Sequence, residues 1–238
     1  MIGRLLAVEF LKIRRKMIWF LIFLGPLGVV GLQAVNFGLR YDYLVHHEYA
    51  ADLWGGLLQN VVGLMVPTLF MGLAIIASMT AGIEHQTNAW KQTLALPVSR
   101  VQVFTAKFTL SVLLLLASVA LTVAGTAVLG IVLGFGFDVP LGAMAAACFY
   151  PFVASLPFLA LQTWLSVTVN NQAVPLTVGI AGMLVCMFSF RFPDWLPWKW
   201  PMLAGEAGHQ LFAVSAGAGA GLLLLGAGAL HFSRKDVK

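Results

Sequence analysis

Residues 139–190 read VPLGAMAAACFYPFVASLPFLALQTWLSVTVNNQAVPLTVGIAGMLVCMFSF, without a single Asp, Glu, Lys or Arg. An α-helix rises about 1.5 Å per residue, so roughly 20 apolar residues cross about 30 Å of hydrocarbon, and this stretch can cross twice. Its one polar interruption, Asn170, Asn171 and Gln172 with Pro175 just beyond, reads as a tight turn between two helices. In lipid the backbone must satisfy its own hydrogen bonds, which makes the segment helical.

Outward from this stretch, four more lack charge: Met17 to Leu39, Gly55 to Ile83, Phe108 to Phe137 and Ala207 to Ser233. The expected fold is an all-α membrane protein of six transmembrane helices in one domain, residues 1–238, with spans at about 17–39, 57–82, 104–135, 141–169, 173–191 and 210–232. Composition agrees. Sixty per cent of the 238 residues are hydrophobic and only 10% charged, and the mean hydropathy is +0.91, values a water-exposed surface does not tolerate. The run from Met17 to Leu39 is too long for a cleaved signal sequence and is expected to be retained.

Six spans put both termini on one side of the membrane. That side then holds eleven of the fourteen basic residues and three of the nine acids, a net +8; the other side holds Arg40, Arg191 and Lys199 against six acids, a net −3. Short loops rich in Lys and Arg stay cytoplasmic, so both termini are expected inside. The basic balance then reflects topology and anionic lipid, and nucleic acid is not an expected partner. Trp54, Trp195, Trp198 and Trp200 fall in the outer segments, where indole rings favour the headgroup layer.

Between spans, three segments stand out. Residues 1–16 place Ile2, Leu5, Leu6, Phe10 and Ile13 at helical spacing among Arg4, Glu9, Lys12, Arg14 and Arg15, which suits a helix lying in the cytoplasmic interface. Glu84 to Arg100 is too polar for lipid and longer than a plain connection; a short helix from Thr87 to Leu96, stopped by Pro97 and presenting Trp90, Leu94 and Leu96, is a docking element at the inner surface. Arg191 to Gln210 carries Pro193, Pro197 and Pro201 among three tryptophans, so short broken helices at the outer interface are expected there.

Polar residues inside spans need a reason. Gln33 and Asn36 in the first span and Gln162 in the fourth, beside Pro151 and Pro157, are candidates for lining a cavity. Gly217 and Gly221 form a small-residue ridge on the last span, available to another helix of this chain or of a second one. His46, His47 and Glu48 share no metal-ligand spacing with other residues and read as loop, so no metal site is expected; Cys148 and Cys186 read as buried hydrophobes.

No phosphate-binding loop, zinc-protease, serine-esterase or C-x-x-C signature occurs, so neither catalysis nor a cofactor bound by this chain is expected. Ionisable groups are also missing from the middle of every span, which disfavours an ion-coupled transporter or a pump working alone.

Three of these features resemble the type 2 ABC transporter permeases, in particular the six-helix subunits of lantibiotic-immunity and bacitracin-resistance exporters. They are Leu5-Leu6-Ala7-Val8-Glu9-Phe10-Leu11-Lys12 with the basic residues after it, Glu84 to Arg100 ending Leu96-Pro97-Val98-Ser99-Arg100 before Lys107, and the broken stretch ahead of the last span. The resemblance implies a permease in a bacterial cell membrane that pairs with a separate ABC ATPase, where ATP and Mg bind, and with a second copy or a sister permease. It makes residues 1–16 an elbow helix, Thr87 to Leu96 the coupling helix and Phe192 to Gly208 outer re-entrant helices. ATPase coupling would then fall to Glu84, Thr87, Trp90, Lys91, Leu94, Leu96 and Arg100, and a translocation path to Gln33, Asn36 and Gln162. It further implies expulsion of an antimicrobial peptide or similar amphiphile. Because spans are stiff, a push on Thr87 to Leu96 is expected to tilt the second and third helices and switch access to a cavity near the first, second and fifth spans. Glu84 is equally readable as a helix-end carboxylate, and the whole chain as a membrane anchor or assembly protein without a transport cycle.

Overall fold

A computed structural model describes residues 2–87, 90, 98–206 and 208–234, and every regular element among them is helical. The main helices are α1 (Ile2–Ile13), α2 (Ile18–Leu39), α3 (Leu53–Thr87), α4 (Arg100–Val132), α5 (Leu141–Ala154), α6 (Leu156–Thr168), α7 (Ala173–Met187) and α8 (Gln210–Arg234). Four of them, α2, α3, α4 and α8, are long and apolar enough to cross a membrane, and α5 with α6 makes a fifth if the bent pair is one span. The expected span at 173–191 is a helix of 15 residues, about 22 Å long. It falls short of the roughly 20 residues a span needs.

The fourth expected span corrects the sequence reading, which ran one helix from 141 to 169. The chain bends by 44° between Ala154 and Leu156. Pro157 enters the first turn of α6, and Ser155 closes the break: its N–H donates to the Pro151 carbonyl and its hydroxyl to the Phe152 carbonyl. A proline there has no N–H to continue the α5 ladder, so the helix restarts.

Helix α3 is the centre of the bundle, packing against α2, α4, α6 and α7. The largest core cluster gathers Leu57, Val61, Val66, Phe70 and Leu73 of α3 with Phe37 of α2 and Leu110 of α4. Close approach elsewhere depends on glycine. A Cβ on Gly217 would lie 2.5 Å from the Ala154 Cα, and one on Gly221 would lie 2.9 Å from the Leu156 Cβ. The small-residue ridge of α8 is therefore used within this chain, against the α5–α6 bend.

The end of the bundle where α2 stops and α8 starts has irregular pieces. Tyr41–Tyr43 forms a single helical turn that runs into the π-helical Leu44–Glu48. Before α8 the chain breaks into the 3-10 turns Ser189–Arg191 and Pro197–Lys199 and the short helix Trp200–Leu203. Trp200 donates to the Asp194 carbonyl, and Lys199 pairs with the Asp194 carboxylate at 2.6 Å.

Candidate functional site

At one end of the bundle three helices meet through charge. Lys107, in the second turn of α4, has no exposed surface, and its ammonium donates to Glu84 Oε2 at 2.7 Å, Glu9 Oε2 at 2.9 Å and the Thr80 carbonyl at 2.9 Å. Lys12 closes the ring from the other side, pairing with Glu84 Oε1 at 2.8 Å and with Glu9 Oε1. Each carboxylate oxygen thus meets one lysine, and the quartet is electroneutral.

The quartet follows from helix geometry. Glu9 and Lys12 are three residues apart on α1 and share a face; Thr80 and Glu84 are four apart on α3. Lys107 completes the set because α4 starts beside the end of α3. That start is fixed by a capping box: Ser99 accepts from the Gln102 N–H, and the Gln102 side chain accepts from the Ser99 N–H. Burial alone would lower the Lys12 pKa, but the hydrogen bonds it donates to Glu84 and Glu9, with their negative charge, outweigh this and hold the ammonium above its ordinary value.

Trp90 lies against this network. Its ring centroid is 5.7 Å from the Lys107 ammonium, and it packs on Phe232 of α8. The indole N–H donates to His85 Nδ1 at 3.2 Å, while His85 Nε2 lies 3.1 Å from the Ser166 carbonyl. A carbonyl only accepts, so the His85 proton is on Nε2 and the ring is neutral. Gln172 donates to the same Ser166 carbonyl at 2.9 Å. The last turn of α6 is thereby tied to α3 and to the turn before α7.

Of the residues expected to couple to an ATPase, Glu84 and Trp90 are brought together at the quartet. Thr87 is exposed and its hydroxyl bonds back to the Ile83 carbonyl; Arg100 opens α4. Lys91, Leu94 and Leu96, and with them most of the expected helix from Thr87 to Leu96, lie outside the described residues. Sequence reasoning missed Lys107, Glu9 and Lys12 as partners of Glu84. The one available signal was local, the Glu9 and Lys12 spacing inside an otherwise basic helix.

The three residues expected on a translocation path separate. Gln162 is buried and donates to the Pro175 carbonyl at 2.6 Å, where α6 and α7 cross. It is a clasp between helices and lines neither groove described below. Gln33 and Asn36 stay together: Gln33 donates to the Asn60 carbonyl of α3 at 3.0 Å and accepts from Asn36 at 3.2 Å.

Two grooves flank α2 and α3. One, of about 530 Å³, lies near the quartet between Lys16, Ile18, Ile83, Gln86 and Gln172, and so between the first, second and fifth expected spans. The other, of about 260 Å³, is apolar and lies between α2, α3 and α4, with Pro26, Leu69 and Val119 among its walls. Among the described residues no three His, Cys, Asp or Glu side chains gather as metal ligands.

A family model described as ABC-2 family transporter protein matches residues 5–187, well over half of the chain. The matched region includes α1 to α7 almost whole, with all four members of the quartet. No curated protein matches the chain, and no solved structure does.

Proposed function

The chain belongs to the ABC-2 family of transporter proteins, which makes it a membrane permease component of an ABC transporter, and from that premise we propose that it serves an exporter powered by a separate ATPase subunit. The quartet carries this reading. It binds the end of α3 and the start of α4, on either side of the segment from Thr87 to Leu96, to each other and to α1. A push delivered to that segment by closing ATPases would be shared at once by α1, α3 and α4, because a buried neutral ion network resists separation of its members. The tilt of these helices would then switch access to the grooves beside α3.

In this proposal the chain has six spans, with α5 and α6 forming one bent span and α7 crossing with help from the turns after it. Charge asymmetry supports both termini on the cytoplasmic side of a bacterial cell membrane. The functional unit contains a second copy or a sister permease, and ATP and Mg bind only to the ATPase. The substrate is an antimicrobial peptide or a similar amphiphile, a reading that rests on the resemblance to lantibiotic-immunity and bacitracin-resistance exporters.

Coexpression with candidate ATPase subunits tests the proposal. Stable copurification, with ATP turnover abolished by Trp90→Ala together with Leu94→Ala in a variant that still elutes as folded protein, is the expected result. If no ATPase copurifies in any detergent or lipid, the chain is instead a membrane anchor or assembly protein.

A further inference from the structure

The apolar groove between α2, α3 and α4 runs along α2 from Leu21 to Leu32. At the end remote from the quartet it meets a second hollow of about 510 Å³, lined by Gln33, Asn36, Tyr49, Gln59, Asn60 and Gly63. Leu32 and Leu64 wall both hollows. The two hollows thus adjoin between α2 and α3, one apolar and the other amide-lined.

The polar end is built, and it is not saturated. Gln33 is 4% exposed and held by Asn60 and Asn36. Asn60 donates to the Tyr49 hydroxyl at 3.0 Å and to the Gly56 carbonyl at 2.8 Å, and among the described residues its side-chain oxygen accepts no hydrogen bond. Among the described residues the exposed Gln59 amide has no partner. Backbone adds to this: Pro67 inside α3 has no N–H to donate to the Gly63 carbonyl, and Gly63 lines the hollow. Donors and acceptors are thus both on offer. Neither hollow is lined by an Asp, Glu, Lys or Arg.

We infer that this pair of hollows holds an amphiphile with one apolar chain against α2 and α3 and an uncharged, hydroxyl-rich headgroup, such as a glycosyl lipid, at Gln33, Asn36, Gln59 and Asn60. The inference rests on the permease reading and, among its amphiphiles, selects an uncharged glycolipid over a cationic peptide for this site. Lengths agree. From Leu21 to Leu32 the apolar part runs about 16 Å along α2, close to the half-thickness of about 15 Å that a lipid chain occupies. A charged headgroup would gain no ion pair here and would lose hydration on entering, whereas hydroxyls exchange water for amides.

The test uses the full chain in phosphatidylcholine nanodiscs, without any ATPase, so that loss of this site is separable from loss of ATPase coupling. Two probes are compared, a glucosyl diacylglycerol and a phosphatidylglycerol, each with a diazirine in one acyl chain. After irradiation, the glucosyl probe is expected to label peptides around Leu32 and Leu64 about tenfold more than the anionic probe, the discrimination expected from a few hydrogen bonds. Gly28→Leu and Gly63→Leu plug the two parts; a Cβ at either glycine meets no atom within 4 Å, so both variants are expected to fold and to lose that labelling. Equal labelling by the two probes, labelling unmoved by both plugs, or displacement by a cationic peptide but not by glucosyl lipid would each overturn the assignment.

Discussion

Replacing Lys107 by methionine keeps the volume of the side chain and removes its charge. Glu9 and Glu84 then share one cation, Lys12, and the formerly neutral cluster carries a net −1 in a site where Glu84 is 1% and Glu9 5% exposed. Removing one partner of a buried ion network costs about 3–5 kcal/mol. For a chain of this length about 1 kcal/mol shifts the melting temperature by roughly 2–4 °C, so a loss of about 6–20 °C is expected. The double variant Glu84→Gln with Lys107→Met separates burial of charge from loss of contacts. It leaves Glu9 paired with Lys12, neutral again, so its loss should fall short of the sum of the two single losses by up to about 3 kcal/mol. Melting in detergent, followed by the surviving monodisperse peak on size exclusion, measures all three variants. A Lys107→Met shift within about 2 °C of wild type, or strict additivity of the double variant, would refute the buried-network argument.

Three further outcomes follow from the packing and the charges. A Cβ on Gly179 would come 2.2 Å from the Ala74 Cβ, so Gly179→Val should part α7 from α3, loosen the Gln162 clasp and cost about 1–3 kcal/mol, read as a lower melting temperature. Ser99→Ala removes the cap of α4 and should cost about 1 kcal/mol, with Ser99→Asp restoring most of it. Because the folded state raises the Lys12 pKa above 10.5, its contribution is fully present below that pH and is lost as pH rises through the folded value. Melting temperature should therefore hold from neutral pH to about 10 and fall above it, and the part of the fall due to Lys12 should vanish in Lys12→Met.

The long helices were legible because charge marks their limits: Arg40 follows α2, and no charge occurs in α3 before Glu84. The break at Ser155 was not, because Pro151 and Pro157 are both compatible with a kinked but continuous span, and only the packing of α8 against the bend separates the two outcomes. Helix α7 was overestimated for a related reason. Ser189 and Phe190 are apolar enough for lipid, yet the chain turns there into a 3-10 piece. At the site, Glu84 was visible as an isolated carboxylate at a helix end. Its partners were hidden, since Lys107 is 23 residues away and Lys12 is 72, distances at which no periodicity reports a contact. Counting Lys107 among loop charges missed its surroundings, since it is buried among carboxylates of two other helices. Gln162 shows a different limit. A glutamine in an apolar run signals an unmet polar demand, and the demand was met by the backbone of a neighbouring helix.

Helix α3 carries both Asn60, in the amide-lined hollow, and Glu84, in the quartet, 24 residues or about 36 Å farther along one continuous element. Any displacement of α3 that favours one arrangement of the quartet must alter the hollow around Asn60, and equilibrium linkage makes that influence mutual. An occupant of the hollow around Asn60 would then report its presence through the same helix, changing the affinity of whatever binds beside Glu84 by the factor that this binding changes its own.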